Sequence, residues 1–98
     1  MINPIVDLVE CDLGYFFILK HDTVISKHVK ETGDYARKEK QYLSNFISSG
    51  MTVVDVGSNI GTHAVYFSNL VGHEGKVYCF EPQQTIYSIL CSNILLNT

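Results

Sequence analysis

Residues 53–61, Val-Val-Asp-Val-Gly-Ser-Asn-Ile-Gly, run a β-branched apolar strand into a glycine turn and then a helix. A second apolar strand, Val77-Tyr78-Cys79-Phe80, follows and ends on Glu81-Pro82. Strand, crossover helix and strand in this order predict a parallel pair in an α/β fold. Open parallel sheets place their ligand crevice at the C-terminal ends of the strands. Both acidic residues, Asp55 and Glu81, fall at those ends.

The surrounding pattern extends this unit. Thr52–Val56 is nearly continuous in apolar residues, as expected of a strand buried on both faces. Ile60, Ala64, Phe67 and Val71 fall on one helical face, so residues 60–71 read as a helix. Gly72 and Gly75 turn the chain, Lys76–Phe80 is the second strand, and residues 84–96 read as a second helix. Upstream, residues 1–12 read as an arm or edge segment and Gly14–Leu19 as a strand. His21-Asp22 reads as a turn and Thr23–Ser26 as the return strand of a hairpin. Tyr35 to Ile47 reads as a helix with Tyr35, Tyr42, Leu43, Phe46 and Ile47 on its apolar side, stopped by Ser48-Ser49-Gly50. Two regions result: an N-terminal hairpin and helix over residues 1–50, and two parallel β-α units over residues 51–98. At 98 residues the chain is too short for a complete doubly wound sheet. It stops in an apolar, helix-like run, and the expectation is a fragment or truncated product.

Charge bears on partners. The formal net charge is −3, and residues 51–98 carry Lys76 against Asp55, Glu74 and Glu81. Such a surface disfavours a nucleic-acid partner. Lys27, Lys30, Arg37, Lys38 and Lys40 are interleaved with Glu31, Asp34 and Glu39, which predicts a solvated mixed face. Cys11, Cys79 and Cys91 lack C-x-x-C spacing; Cys79 and Cys91 read as small buried hydrophobes, in keeping with a reducing, cytoplasmic setting. Neither a signal peptide nor an apolar run of membrane-spanning length is present in the sequence. His63, on the first helix, reads as lying at the crevice rim or exposed, and His73 lies in a glycine-rich turn. Neither has a partner at metal spacing, so no metal site is expected.

The candidate ligand residues sit at the junctions. Gly57 can adopt angles denied to other residues, and its bare Cα lets a ligand approach. Gly61 lets the helix pack closely, and the open N–H groups of that turn suit a carboxylate. Ser58 and Asn59 favour a tight turn. Asp55 is costly in an apolar strand unless it faces the crevice, where it can attract an ammonium group. Glu81 can accept both hydroxyls of an adenosine ribose, a device the dinucleotide fold shares. A dinucleotide itself is disfavoured: its fingerprint needs G-x-G-x-x-G, Asn59 takes the place of the second glycine, and Asp55 would repel a pyrophosphate. A ligand joining an amino acid to adenosine fits better, and S-adenosylmethionine (SAM) is such a molecule.

Residues 53–61 resemble motif I of class I SAM-dependent methyltransferases. The Asp-x-Gly-x-Asn-x-Gly form, with residues 71–82 behind it, is similar to the FkbM methyltransferases, as is Leu90-Cys91-Ser92-Asn93-Ile94-Leu95-Leu96-Asn97. The resemblance spans roughly residues 14–98 and is specific from residue 51. It implies a Rossmann-like methyltransferase fold and O-methylation of a small-molecule or glycan hydroxyl. It places Asp55 and Gly57 against the methionine part and Glu81 on the ribose. It also puts Tyr35 and Glu39 on a helix bordering the pocket; by themselves they read as a packed tyrosine and a solvated acid. The family's adenine-binding segment, fourth-strand motif and residues near the transferred methyl have no counterpart within residues 1–98, so no catalytic residue is assigned.

Two other readings compete. Some RNA methyltransferases share the Asn-Ile-Leu-Leu-Asn style of helix, although the acidic second half disfavours RNA. A truncated remnant without catalysis is the other. With two parallel strands alone, an unpaired sheet edge predicts self-association, low stability and weak or absent SAM binding.

Overall fold

The computed structural model describes residues 5–98. β1 (Val6–Cys11) and β2 (Gly14–Leu19) form an antiparallel hairpin, with Val6 opposite Leu19 and Cys11 opposite Gly14. The expected hairpin is thus present with a different partner. β2 pairs with the upstream segment read as an arm, of which residues 1–4 lie outside the described residues.

The segment expected as a return strand instead starts helix α1 (Ile25–Thr32). Asp22 is the reason. Its carboxylate accepts the N–H groups of Val24 at 3.0 Å and Ser26 at 2.7 Å, satisfying donors a helix start leaves open. Ile25 and Val29, four apart, then turn toward the hairpin, with Val29 fully buried. Gly33, at φ 84°, closes α1 with its N–H on the Val29 carbonyl.

α2 (Arg37–Leu43) is shorter than the helix expected over residues 35–47, and a 3-10 turn (Ser44–Phe46) follows it. The polarity expected over residues 35–47 is also reversed at three positions. Tyr42 and Phe46 are more than 60% exposed and stack edge-on against each other, whereas Lys40 is 1% exposed. Lys40 pairs with the buried Asp34, and its ammonium lies 5.3 Å from the centre of the Tyr66 ring. Asp34 also receives Arg37, which in turn reaches Asp12. The mixed charges read as a solvated face therefore include one buried pair, Lys40 and Asp34. Periodicity could not reveal this, because burial of Lys40 depends on an acid six residues away and on a ring from another helix.

β3 (Thr52–Val56) and β4 (Lys76–Phe80) pair in parallel, Asp55 opposite Cys79 and Val56 opposite Phe80. α3 (Thr62–Val71) crosses between them, and α4 (Gln84–Asn97) follows β4. Val77 and Cys79 face Ala64 and Ser68 of α3 and Ile94 of α4. The opposite face is bare: Val54, Val56, Tyr78 and Phe80 are all about half exposed or more, Val56 at 79%. Burial of β3 on both faces, expected from its composition, is not found, because α3 and α4 cover the sheet from one side.

α4 joins this unit to the hairpin. Phe16, Ile18, Val29, Ile60, Val65 and Ile89 form one buried cluster drawn from the hairpin, α1, the glycine loop, α3 and α4. Each such side chain contributes roughly 1.5–3 kcal/mol on burial. The outer edge of β2 is closed by side chains. Asn93 pairs with both backbone groups of Phe17, Asn97 donates to the Tyr15 carbonyl at 2.9 Å, and Ser26 Oγ accepts the Leu19 N–H at 3.0 Å. Four helical residues rise about 6 Å and two strand residues about 6.8 Å, so asparagines four apart match alternate strand residues. Among the described residues, no helix is long and apolar enough to cross a membrane.

Candidate functional site

Every junction residue singled out from the sequence lies on one shelf at the C-terminal ends of β3 and β4. Gly57 leaves β3 at φ 78°, and a Cβ built there would meet nothing within 4 Å. Its N–H and that of Ser58 both donate to the Phe80 carbonyl, at 2.8 and 3.0 Å, so the turn is pinned to the end of β4. Ser58 is buried, with its hydroxyl donating to the Asp55 carbonyl at 2.8 Å. Asn59 adopts the left-handed region at φ 51°, and its Oδ1 accepts the Ile60 N–H at 2.9 Å. Gly61, at φ 102°, begins α3, and a Cβ there would lie 3.0 Å from Leu90 Cδ1. Close packing of α3 on α4 is thus the local reason for this glycine.

Glu81 closes the shelf. Its Oε1 accepts the Asn59 N–H at 2.9 Å and its Oε2 the Gln83 N–H at 3.1 Å. A carboxylate offers about four lone-pair sites, so two acceptor positions remain beyond these bonds. Asp55 lies on the helix-covered face of β3, and its Oδ2 is buried without a hydrogen-bond partner. A buried carboxylate oxygen with no donor is costly, and it is able to accept one. Beside it, burial pushes the Cys79 thiol above its usual range, opposed by a hydrogen bond with the Ser58 side chain and reinforced by Asp55 and Cys91.

The loop amides from Gly57 to Gly61 are all engaged inside the protein, by Phe80, Glu81, Asn59 and Ser58. The open N–H groups expected on the first helical turn are those at the start of α3, which no side chain caps. Tyr35 and Glu39, placed at the pocket border by resemblance, lie against that turn. Tyr35 stacks edge-on with His63, and Glu39 Oε1 stands 3.6 Å from His63 Nε2. His63 is partly buried rather than exposed, and Nε2 is shielded without a hydrogen-bond partner. His73 is exposed. Among the described residues, no three His, Cys, Asp or Glu side chains converge on a point that could hold a metal.

Two hollows lie away from the shelf. One of about 270 Å³ sits between β2 and α1 beside Lys20, Lys27 and Lys30; another of about 340 Å³ lies near Gly72 and His73, where β4 begins. Sequence reasoning missed Asn93 as a site neighbour. Its signal was a buried amide within the apolar run Ile89, Leu90, Ile94, and in the structure it donates to the Ile60 carbonyl at 2.8 Å.

The sequence model of the protein-L-isoaspartate(D-aspartate) O-methyltransferase family matches residues 23–96. The chain belongs to this family. No curated protein matches it in sequence. Among solved structures, a Clostridium thermocellum protein described as an rRNA-methylase superposes with a TM-score of 0.58 at 24% identity. The match covers 63% of this chain and 33% of that one, so the chain spans about a third of that protein's length. The likeness carries the fold alone: a partial Rossmann-like methyltransferase fold. The broad class expected from motif I therefore stands, and the match is to this methyltransferase family rather than to the FkbM group.

Proposed function

We propose that the chain carries the cofactor-binding part of a SAM-dependent O-methyltransferase. The observation that carries this reading is the buried, unpartnered Asp55 carboxylate oxygen, two residues before the turn glycine Gly57. A methionine ammonium would supply the donor Asp55 lacks. The uncapped first turn of α3 would take the carboxylate. Glu81, held in place by two backbone N–H groups, would accept the ribose hydroxyls with its remaining lone pairs. SAM, when bound, supplies an electrophilic methyl on a sulfonium. The chain's own contribution is to bind and orient it, since methyl transfer depends heavily on alignment.

The acceptor is proposed to be an oxygen. The matching family is named for O-methylation of protein isoaspartate, and the FkbM-like motif residues imply a small-molecule or glycan hydroxyl. The hydroxyl is the preferred reading, because the resemblance rests on named residues in the stretches 53–61, 71–82 and 90–97. RNA is the weaker alternative, given one cation against three acids over residues 51–98. A cytoplasmic setting goes with this reading.

The test is a SAM titration followed by amide NMR shifts up to millimolar ligand. Saturable shifts at residues 57–63 and at Glu81 are expected. No shift there, in a folded sample, would overturn the assignment.

A further inference from the structure

Asn93 is fully buried on α4, and its side chain bonds only residues far from it in sequence. Its Oδ1 accepts the Phe17 N–H at 2.7 Å, and its Nδ2 donates to the Phe17 carbonyl at 3.0 Å and the Ile60 carbonyl at 2.8 Å. One side chain thus bonds the hairpin, α4 and the glycine loop together. We propose that Asn93 is a positioning residue for the cofactor shelf, holding the Ile60 peptide through its carbonyl. The inference rests on the SAM reading of that shelf.

The placement of Ile60 is what gives this bond its reach. On one side Asn59 donates its N–H to Glu81 at 2.9 Å. On the other, Gly61 begins α3, whose first turn is uncapped. A peptide fixed between them sets the ribose acid and the helix amides relative to each other. Asn97, one turn on, is an internal comparison. It bonds the Tyr15 carbonyl and the Asn93 carbonyl, and so docks α4 on β2 without touching the loop. If Asn93 served only to close the edge of β2, the two asparagines would behave alike.

The experiment compares the wild-type chain with Asn93→Asp and Asn97→Ala, reading thermal melting and titrations with SAM and with adenosine. Asn93→Asp keeps the acceptor for Phe17 and turns an oxygen toward the Ile60 carbonyl. Its SAM affinity is expected to fall tenfold or more, or to lose saturation, while adenosine affinity falls less than threefold. Asn97→Ala is expected to melt earlier yet hold SAM within twofold. A folded Asn93→Asp with SAM affinity within twofold overturns the proposal. So does an equal loss of SAM and adenosine, or an equal loss in Asn97→Ala. Should Asn93→Asp not fold, hydrogen exchange on the wild-type chain decides. SAM must slow exchange of the Phe17 amide along with those of the loop, and protection confined to the loop overturns the proposal. Failure of wild type to bind SAM at all is failure of the functional reading instead.

Discussion

Glu81 uses both carboxylate oxygens on backbone N–H groups before any ligand arrives, so its orientation is already set. Charge-assisted hydrogen bonds to a ribose would each contribute roughly 1.5–3 kcal/mol. Glu81→Ala is therefore expected to weaken SAM binding by tens-fold or more; calorimetry or NMR titration checks it, and unchanged affinity would remove Glu81 from the site. Gly57 is constrained differently. Its φ of 78° lies where a Cβ is disfavoured by roughly 1–2 kcal/mol, and the space above it is open. Gly57→Val should abolish SAM binding while circular dichroism retains most of the helix signal, since the strain falls in the turn and not in α3.

At the scale of elements, α1 shows how a short polar signal redirects a segment. Thr23-Val24-Ile25-Ser26 has strand-forming composition, yet Asp22 converts it into a helix start. Burial works to raise the Asp22 pKa, but the Ser26, Val24 and Ile25 hydrogen bonds outweigh it, and the net shift is downward. A carboxylate depressed on folding adds stability that is fully present above its unfolded pKa and is lost as pH falls through the folded one. Asp22→Asn leaves one acceptor oxygen where two are used, and should thus cost about 1 kcal/mol at neutral pH. The gap from wild type should close in acid, below the ordinary Asp range. Urea melts from pH 7 to pH 3 test this, and a gap that stays constant would show that Asp22 acts by shape alone.

For the whole molecule, the bare face of the parallel pair dominates. Val54, Val56, Tyr78 and Phe80 present a contiguous apolar surface, and patches of this kind drive association. The chain is expected to self-associate with rising concentration in sedimentation velocity. Val56→Lys, at the most exposed of these positions, should shift it toward monomer with little change in the thermal midpoint. Sedimentation as a monomer at all concentrations in wild type would dispose of this expectation.

Much of the geometry of the candidate shelf was legible in the sequence because it is local. Asp55, Gly57 and Gly61 are fixed by where a strand must turn into a helix, and the β-α-β order carries Glu81 to the neighbouring strand end. The pairing of β2 with β1, the burial of Lys40 against Asp34, and the closing of the β2 edge by Asn93 and Asn97 were not legible. Each is a contact between segments whose own patterns are neutral about the partner. An edge strand's backbone groups must be satisfied, but any nearby donor or acceptor will serve, and only the packing of α4 on the hairpin chooses which. The sequence by itself determined the α/β class and the residues at the strand ends, through hydrophobic period and glycine placement. The tertiary structure decided what those residues lean on, because hydrogen bonds and ion pairs between distant segments leave no period in the chain.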